Sequence, residues 1–123
     1  MINQVTLIGR VVENPTLRKY EEVIASTLTL AVARPFKNME GNIETDFIRV
    51  SLWNGVAQST CEYIQKGDIV GIKGRLTVKE SEVSFSKEAE TLKKRILTLE
   101  LIGERVIFIH THKKRTEIEG QND

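Results

Sequence analysis

The chain has a single cysteine, Cys61, and no long apolar segment. One cysteine cannot form a disulfide within the chain, so no internal covalent cross-link stabilises the fold. No stretch approaches the roughly 20 apolar residues that a transmembrane helix needs. The first four residues lack the basic region of a secretory signal peptide, and the apolar run after them breaks at Gly9 and Arg10. These absences favour a soluble cytoplasmic protein with no membrane partner.

The residue sets on which catalysis depends are also missing. The sequence has no Ser–His–Asp arrangement, no phosphate-binding loop and no paired-carboxylate motif. His110 and His112 stand on either side of Thr111, but no cluster of Cys or His residues exists to complete a metal site. Cys61 has no histidine near it in sequence and suits a helix core better than the role of a nucleophile. We therefore expect neither an enzyme nor a cofactor.

Size and charge indicate one modest globular domain. The 123 residues suit a single domain, and 40% of them are apolar. A domain of this size buries a limited core, so burial is often completed by self-association. The net charge of +1 is weak evidence against general phosphate binding, because proteins with that property are usually basic. The decisive question is whether the cations share a face.

Alternation of apolar and polar residues predicts that most of the chain forms strands. In residues 24–33 the even positions, which include Leu28 and Leu30, share one face, and alanines and threonines occupy the other. The same period predicts four further strands over residues 5–11, 45–53, 69–78 and 96–109, with residues 16–20 continuing the sheet. Single faces of three of them carry Val5, Leu7 and Val11; Ile48, Val50 and Leu52; and Val70, Ile72, Leu76 and Val78. Gly9 predicts a bend and Gly103 a bulge, while residues 34–36 end the second strand.

One helix is predicted between the third and fourth strands. Asn54 is placed to cap it, and Gly67 ends it after Lys66. Its apolar stripe consists of Ala57, Cys61 and Ile64.

The order of these elements is typical of the OB fold. Residues 1–110 are predicted to form an all-β, five-stranded OB-fold barrel, with the helix between strands 3 and 4. Residues 79–95, between strands 4 and 5, are long and charged, and we interpret them as a protruding hairpin arm. A short helix over residues 88–94 is the alternative. Residues 111–123 form a short polar tail that we expect to be disordered.

Two strips of side chains occupy the predicted outer faces of the third and fourth strands. The third strand carries Phe47, Arg49, Ser51 and Trp53, and the fourth carries Lys73, Arg75, Thr77 and Lys79. We expect the two strands to be near neighbours in the barrel. Aromatic faces that stack on unpaired bases, beside cations that bind phosphates, are what a single-stranded nucleic acid requires. Phe36, just past the second strand, extends the aromatic strip.

Two simpler interpretations stand beside this one. Phe47 and Trp53 are ordinary core aromatics if the face assignment is wrong by one residue. Lys73, Arg75 and Lys79 are a merely solvated face, which is the usual outcome for an isolated run of charge. The occurrence of both strips on adjacent strands favours a binding surface over these two interpretations.

Several short motifs occur together and in a recognisable order. They are residues 2–10 (INQVTLIGR), Asn14-Pro15, Leu17-Arg18, 29–32 (TLAV), 46–50 (DFIRV), Leu52-Trp53, 63–68 (YIQKGD), 74–76 (GRL) and 106–109 (VIFI). On this ordered set the chain resembles bacterial single-stranded DNA-binding proteins over residues 2–110. No single motif is diagnostic, but the series is specific.

The resemblance implies a homotetramer that binds single-stranded DNA with little regard to sequence, in replication, repair, recombination or uptake. It places the stacking aromatics of the family on Phe36, Phe47 and Trp53. A further aromatic usually follows the fourth strand, where this chain has the acidic segment 80–82. Phe85 substitutes for it if the arm folds back.

Two further departures suggest a divergent or accessory member. The turn at residues 21–22 lacks the usual glycine. Residues 111–123 are short and have no aromatic tip, whereas the long family tails recruit partners through an acidic, hydrophobic tip. We therefore expect no tail-mediated partners. Two alternatives stay open: an OB-fold protein-interaction module, favoured by the acids of residues 80–90, and a primosome-type accessory relative, which is usually dimeric.

Overall fold

Six strands and one helix make up the described part of the chain. The computed structural model describes residues 1–87 and 90–110, and of residues 85–87 and 90–92 the backbone only. The elements are β1 (Val5–Val11), β2 (Arg18–Tyr20), β3 (Val23–Lys37), β4 (Ile43–Trp53), α1 (Asn54–Tyr63), β5 (Ile69–Lys87) and β6 (Glu90–His110).

Five of the strands close into a ring. β1 pairs with β5, β5 with β6, β6 with β4, β4 with β3, and β3 again with β1. All of these pairs are antiparallel except β4–β6, where Val50 lies opposite Leu101 in a parallel register. The ring, with α1 between β4 and β5, confirms the predicted five-stranded barrel with one helix. β2 pairs with the start of β3 and is the predicted continuation by residues 16–20.

The apolar faces of the ring strands point inward. Fully buried side chains are Leu28 and Leu30 of β3, Val50 and Leu52 of β4, and Val70 and Ile72 of β5. Burial of a large aliphatic side chain contributes about 1.5–3 kcal/mol, so these residues are the main source of stability. The period of two is confirmed on all three strands. Leu76 and Val78 are exposed instead, because β5 pairs with β1 only as far as Gly74 and then leaves the ring.

Gly103 marks the predicted bulge in β6. The β5–β6 register shifts by one residue at this point, which leaves Glu104 unmatched. A Cβ atom at position 103 would lie 2.6 Å from Leu52 Cδ2 and 2.9 Å from Val50 Cγ1. Glycine therefore allows β6 to approach the core side of β4.

The helix begins and ends earlier than the sequence predicts. Trp53 is the N-cap residue and makes no side-chain capping hydrogen bond, so the prediction that Asn54 caps the helix is wrong. Asn54 has a φ of 51°, and its Oδ1 accepts a hydrogen bond of 3.4 Å from the Ile24 amide. The helix ends before Ile64, whose backbone is extended and whose side chain is buried in the core. Gly67, with a φ of 95°, lies in the turn into β5 and does not end the helix.

β3 continues through residues 34–36, so the prediction that they end the strand is wrong. The strand reaches Lys37. The Arg34 guanidinium donates hydrogen bonds of 3.0–3.2 Å to both carboxylate oxygens of Asp46, and it also donates to Glu44. These contacts join the end of β3 to the start of β4 and so lengthen the β3–β4 hairpin.

Residues 79–87 and 90–95 form the two strands of the predicted hairpin arm. Beyond the ring β5 and β6 pair with each other in continuous register as far as Lys87 opposite Glu90. The alternative of a short helix over residues 88–94 is wrong, because β6 begins at Glu90. The polar tail, residues 111–123, lies outside the described residues.

Candidate nucleic-acid interface

The outer face of β4 carries the predicted aromatic strip. Solvent reaches 67% of Phe47 and 42% of Trp53, and Arg49 between them is exposed as well. The alternating residues Val50 and Leu52 are buried. The interpretation of the two aromatics as core residues is therefore wrong, since the pleat of β4 turns them away from the ring.

A groove of about 590 Å³ opens beside Trp53. It lies between β2, the adjoining parts of β3 and β4, and the base of the arm. Its lining includes Arg18, Tyr20, Arg49, Ser51, Trp53, Lys79, Thr98, Leu99, Glu100 and Leu101. The groove thus joins Arg49 and Trp53 of β4 with Lys79 of β5, which the sequence placed on two separate strips.

Arg18 and Tyr20 are groove residues that sequence reasoning did not single out. They belong to β2, and Arg18 Nη2 donates a hydrogen bond of 3.0 Å to Thr27 Oγ1 of β3, which holds the guanidinium at the groove. A signal was present in the sequence. Residues two apart on a strand share a face, and a cation with an aromatic on one face repeats the pattern of Arg49 and Trp53.

Lys73 and Arg75 do not line this groove. Because Ile72 is buried in the core, the pleat directs the residues on either side of it to the outer face of β5. Lys73 lies there opposite Thr6 of β1 and Arg105 of β6. The expectation that these cations and the aromatic strip occupy neighbouring strands is wrong, because β6 lies between β4 and β5.

Phe36 lies near the end of β3 and is 62% exposed. Phe47 lies opposite Ala31 in the β3–β4 pair, so both phenylalanines belong to this hairpin. Neither borders the groove beside Trp53. Both phenylalanines lie towards the start of β4, whereas α1 follows Trp53 at its end.

An ion pair fixes the end of the same hairpin. The hydrogen bonds and the charge of Arg34 lower the pKa of Asp46. In return the hydrogen bonds and charge of Asp46, followed by the charge of Glu44, raise the pKa of Arg34. The guanidinium is therefore held by acids of its own hairpin and is not directed to the groove.

The charge around the groove favours an anion. Three cations, Arg18, Arg49 and Lys79, border it together with one acid, Glu100. The three cations are exposed, so their attraction for phosphate is screened by salt. With the rings of Tyr20 and Trp53 beside them, the groove offers both π surfaces and donors for phosphate oxygens.

Among the side chains that the structure describes, no three from His, Cys, Asp or Glu form a group able to hold a metal ion. Cys61 is half-buried, and its Sγ donates to Ser26 Oγ at 3.2 Å. His110 is exposed at the end of β6, and His112 lies outside the described part. In that part of the chain, no helix has the length and apolar character to cross a membrane.

Comparison with known proteins identifies sequence relatives. A model of the single-strand binding protein family matches residues 2–106. The single-stranded DNA-binding protein 3 of Listeria innocua is 35% identical over 112 residues, which are 90% of this chain and 66% of that protein. The single-stranded DNA-binding protein B of Bacillus subtilis is 44% identical over 84 residues, 67% of this chain and 74% of that protein. The single-stranded DNA-binding protein 1 of Clostridium acetobutylicum is 34% identical over 116 residues, 92% of this chain and 98% of that protein.

A solved structure shares the fold. The crystal structure of a deletion mutant of the single-stranded DNA binding protein from Thermus aquaticus superposes with a TM-score of 0.68 and 23% sequence identity. The superposition covers 90% of this chain and 52% of that one. The ring of β1, β3, β4, β5 and β6 is therefore the OB fold.

Proposed function

Because the chain belongs to the single-strand binding protein family, we propose that it binds single-stranded DNA in the cytoplasm with little regard to base sequence. It would protect such strands during replication, repair, recombination or uptake, as a binding protein and without a cofactor. The observation that carries the proposal is the groove in which Tyr20 and Trp53 stand among Arg18, Arg49 and Lys79. Stacking on an aromatic ring is worth about 1–3 kcal/mol per base and tolerates every base, since all have a π face.

The proposed path of the strand follows the outer face of β4. From Trp53 it passes Arg49 and reaches Phe47 and then Phe36 on the β3–β4 hairpin. At about 3.3 Å per residue, Trp53 and Phe47 are separated by roughly 20 Å along β4. The exposure of all three aromatics supports their use as successive stacking positions.

Two groups of cations are proposed to contact phosphates. Arg49 and Lys79 act in the groove beside Trp53. Lys73 and Arg75 follow Gly71 on the outer face of β5, towards the arm, so they reach only a longer strand that leaves the groove and passes along that part of the face. The two groups therefore respond differently to the length of the bound DNA.

The experiment that tests the proposal is a titration of tryptophan fluorescence. Trp53 is the only tryptophan, so its emission reports directly on the groove. Adding oligo-dT is expected to quench the emission strongly and saturably. Duplex DNA of the same length serves as the control, because its bases are already stacked. Unchanged emission at a saturating concentration of oligo-dT would contradict the stacking site.

We also propose that the protein is a homo-oligomer, a tetramer by its resemblance to the family, with β1 in the interface. Ile8 of β1 is 60% exposed and lies opposite Gly71 of β5, which in turn lies opposite the exposed Ile107 of β6. Three adjoining strands thus present an apolar outer surface, which is typical of an interface between protein subunits. Light scattering at micromolar concentration is expected to give a multiple of the 14.0 kDa chain mass, and a mass of one chain would contradict it.

The acids of the arm are the sequence feature that favours an OB-fold protein-interaction module instead. In the structure Glu80 forms an ion pair with Arg95 of the facing strand, so its charge is satisfied within the arm. The groove with its aromatic and cationic lining favours DNA over a protein partner. The same titration separates the two functions.

A further inference from the structure

Leu99 of β6 is an exposed aliphatic side chain on the wall of the groove. It is 70% exposed, although it borders the same groove as Trp53. Leu101 lies two residues further along β6 and also lines the groove, but it packs partly against the core. Of the two leucines that β6 contributes to the groove, Leu99 therefore has more apolar surface left to bury when the groove is filled.

The rest of the lining indicates what fills it. Trp53 offers a ring for a base, and Arg49 and Lys79 offer charges for phosphates. A nucleotide bound to these groups has one further part to be recognised, the edge of its base. Contact with an apolar side chain is how proteins recognise the C5 methyl group of thymine.

We propose that Leu99 contacts the C5 methyl group of a thymine in this groove, so that the protein distinguishes thymine from uracil. The inference rests on the proposed function and adds a modest preference for thymine to a stacking site that accepts every base. Uracil lacks the methyl group and leaves Leu99 uncovered. Each contacted base is expected to add about fourfold to the affinity, the factor that corresponds to about 0.8 kcal/mol for a buried methylene.

The test compares oligo-dT with oligo-dU of equal length at equal salt, with Trp53 emission as the readout. Both strands have a deoxyribose backbone, so they differ in the methyl group alone. The wild-type protein is expected to bind oligo-dT more tightly by about fourfold or more. In Leu99→Ala the affinity for oligo-dT falls to that for oligo-dU, which itself changes little. Leu99→Met, which keeps an apolar side chain of similar size, retains the preference.

Val78→Ala is the matched control. Val78 of β5 lies opposite Leu99 of β6 and is 63% exposed, but it does not border the groove. This variant is expected to keep the full preference for oligo-dT.

The outcomes separate the inference from the function on which it rests. Tight but equal binding of both oligonucleotides by the wild type would overturn the inference and leave the proposed function intact. A preference that survives Leu99→Ala, or that is lost equally in Val78→Ala, would also overturn it. Absence of binding to either oligonucleotide would overturn both.

Discussion

Lys79 of β5 and Trp53 of β4 border one groove, although β6 lies between their strands in the ring. The contact between β4 and β6 is short, with two parallel residue pairs. Beyond these pairs β6 leaves β4 and continues with β5 into the arm. The groove is lined by residues of β4 and of the β5–β6 pair, and Lys79 therefore adds a cation to the surface on which Trp53 lies.

Stacking on the β4 strip predicts a selective effect of removing an aromatic ring. Phe47→Ala should weaken binding of oligo-dT by about 1–3 kcal/mol, because an exposed stacking surface is removed. Phe108→Ala is the control: Phe108 is also exposed, but it packs edge-on against Tyr63, with ring centroids 6.3 Å apart, and does not border the groove. Fluorescence titration measures both. An equal loss of affinity in the two variants would show that Phe47 has no special role.

The two groups of cations predict a dependence on strand length. The probe is an oligonucleotide of about 8 bases, inside the usual range of about 4–16 for one OB fold. With it, the double variant Arg49→Ala/Lys79→Ala should make the negative slope of log affinity against log salt less steep. The expected decrease is about 0.7 for each phosphate that the variant no longer binds. The double variant Lys73→Ala/Arg75→Ala should leave this slope unchanged for the short strand and make it less steep only for much longer strands. If the outer pair alters the slope for the short strand, the proposed path is wrong.

The close approach of β6 to β4 predicts a cost for a side chain at position 103. Gly103→Ala should lower the free energy of unfolding by about 1–3 kcal/mol, because the new Cβ overlaps Leu52 and Val50. Gly55→Ala on α1 is the matched control, since its Cβ meets no atom within 4 Å. Alanine there is expected to be neutral or slightly stabilising, as it is favoured over glycine in helices. Urea unfolding compares the two, and wild-type stability of Gly103→Ala would contradict the observed packing.

The Arg34–Asp46 pair predicts a pH-dependent contribution to stability. Because Arg34 lowers the pKa of Asp46 in the folded state, the unfolded chain binds more protons between the two pKa values, and stability rises with pH there. The contribution is complete above the ordinary aspartate pKa of about 3.9 and is lost as the pH falls through the folded-state value.

Asp46→Asn should therefore be less stable than the wild type at neutral pH, and the difference should narrow progressively in acid. Urea unfolding at several pH values measures it. Glu62→Gln, at an exposed position of α1, controls for the removal of a surface carboxylate. A difference that is constant with pH would show that the Asp46→Asn substitution removes something other than the ion pair.

Local alternation was sufficient to assign the faces of the main strands. Leu28 and Leu30 face inward, and Phe47 and Trp53 face outward, as their spacing predicts. This works because side chains alternate along any strand, whatever its neighbours are. The bulge at Gly103 was predicted from a glycine within a strand, and the hairpin arm from a long charged segment between two strands. The helix boundaries did not follow from the sequence, because Asn54 is engaged by the Ile24 amide of a distant strand and Ile64 is drawn into the core.

The sequence by itself therefore determined the order of the elements, the inner and outer faces of the strands, and the resemblance to a family. Only the tertiary structure decided which of the outer residues meet. Val50 and Leu101 are far apart along the chain, and their parallel pairing sets β6 between β4 and β5. That arrangement brings Lys79 to the groove and leaves Lys73 on another surface. A periodic pattern records the face of a strand but not its neighbour, because strand pairing depends on backbone hydrogen bonds between remote segments.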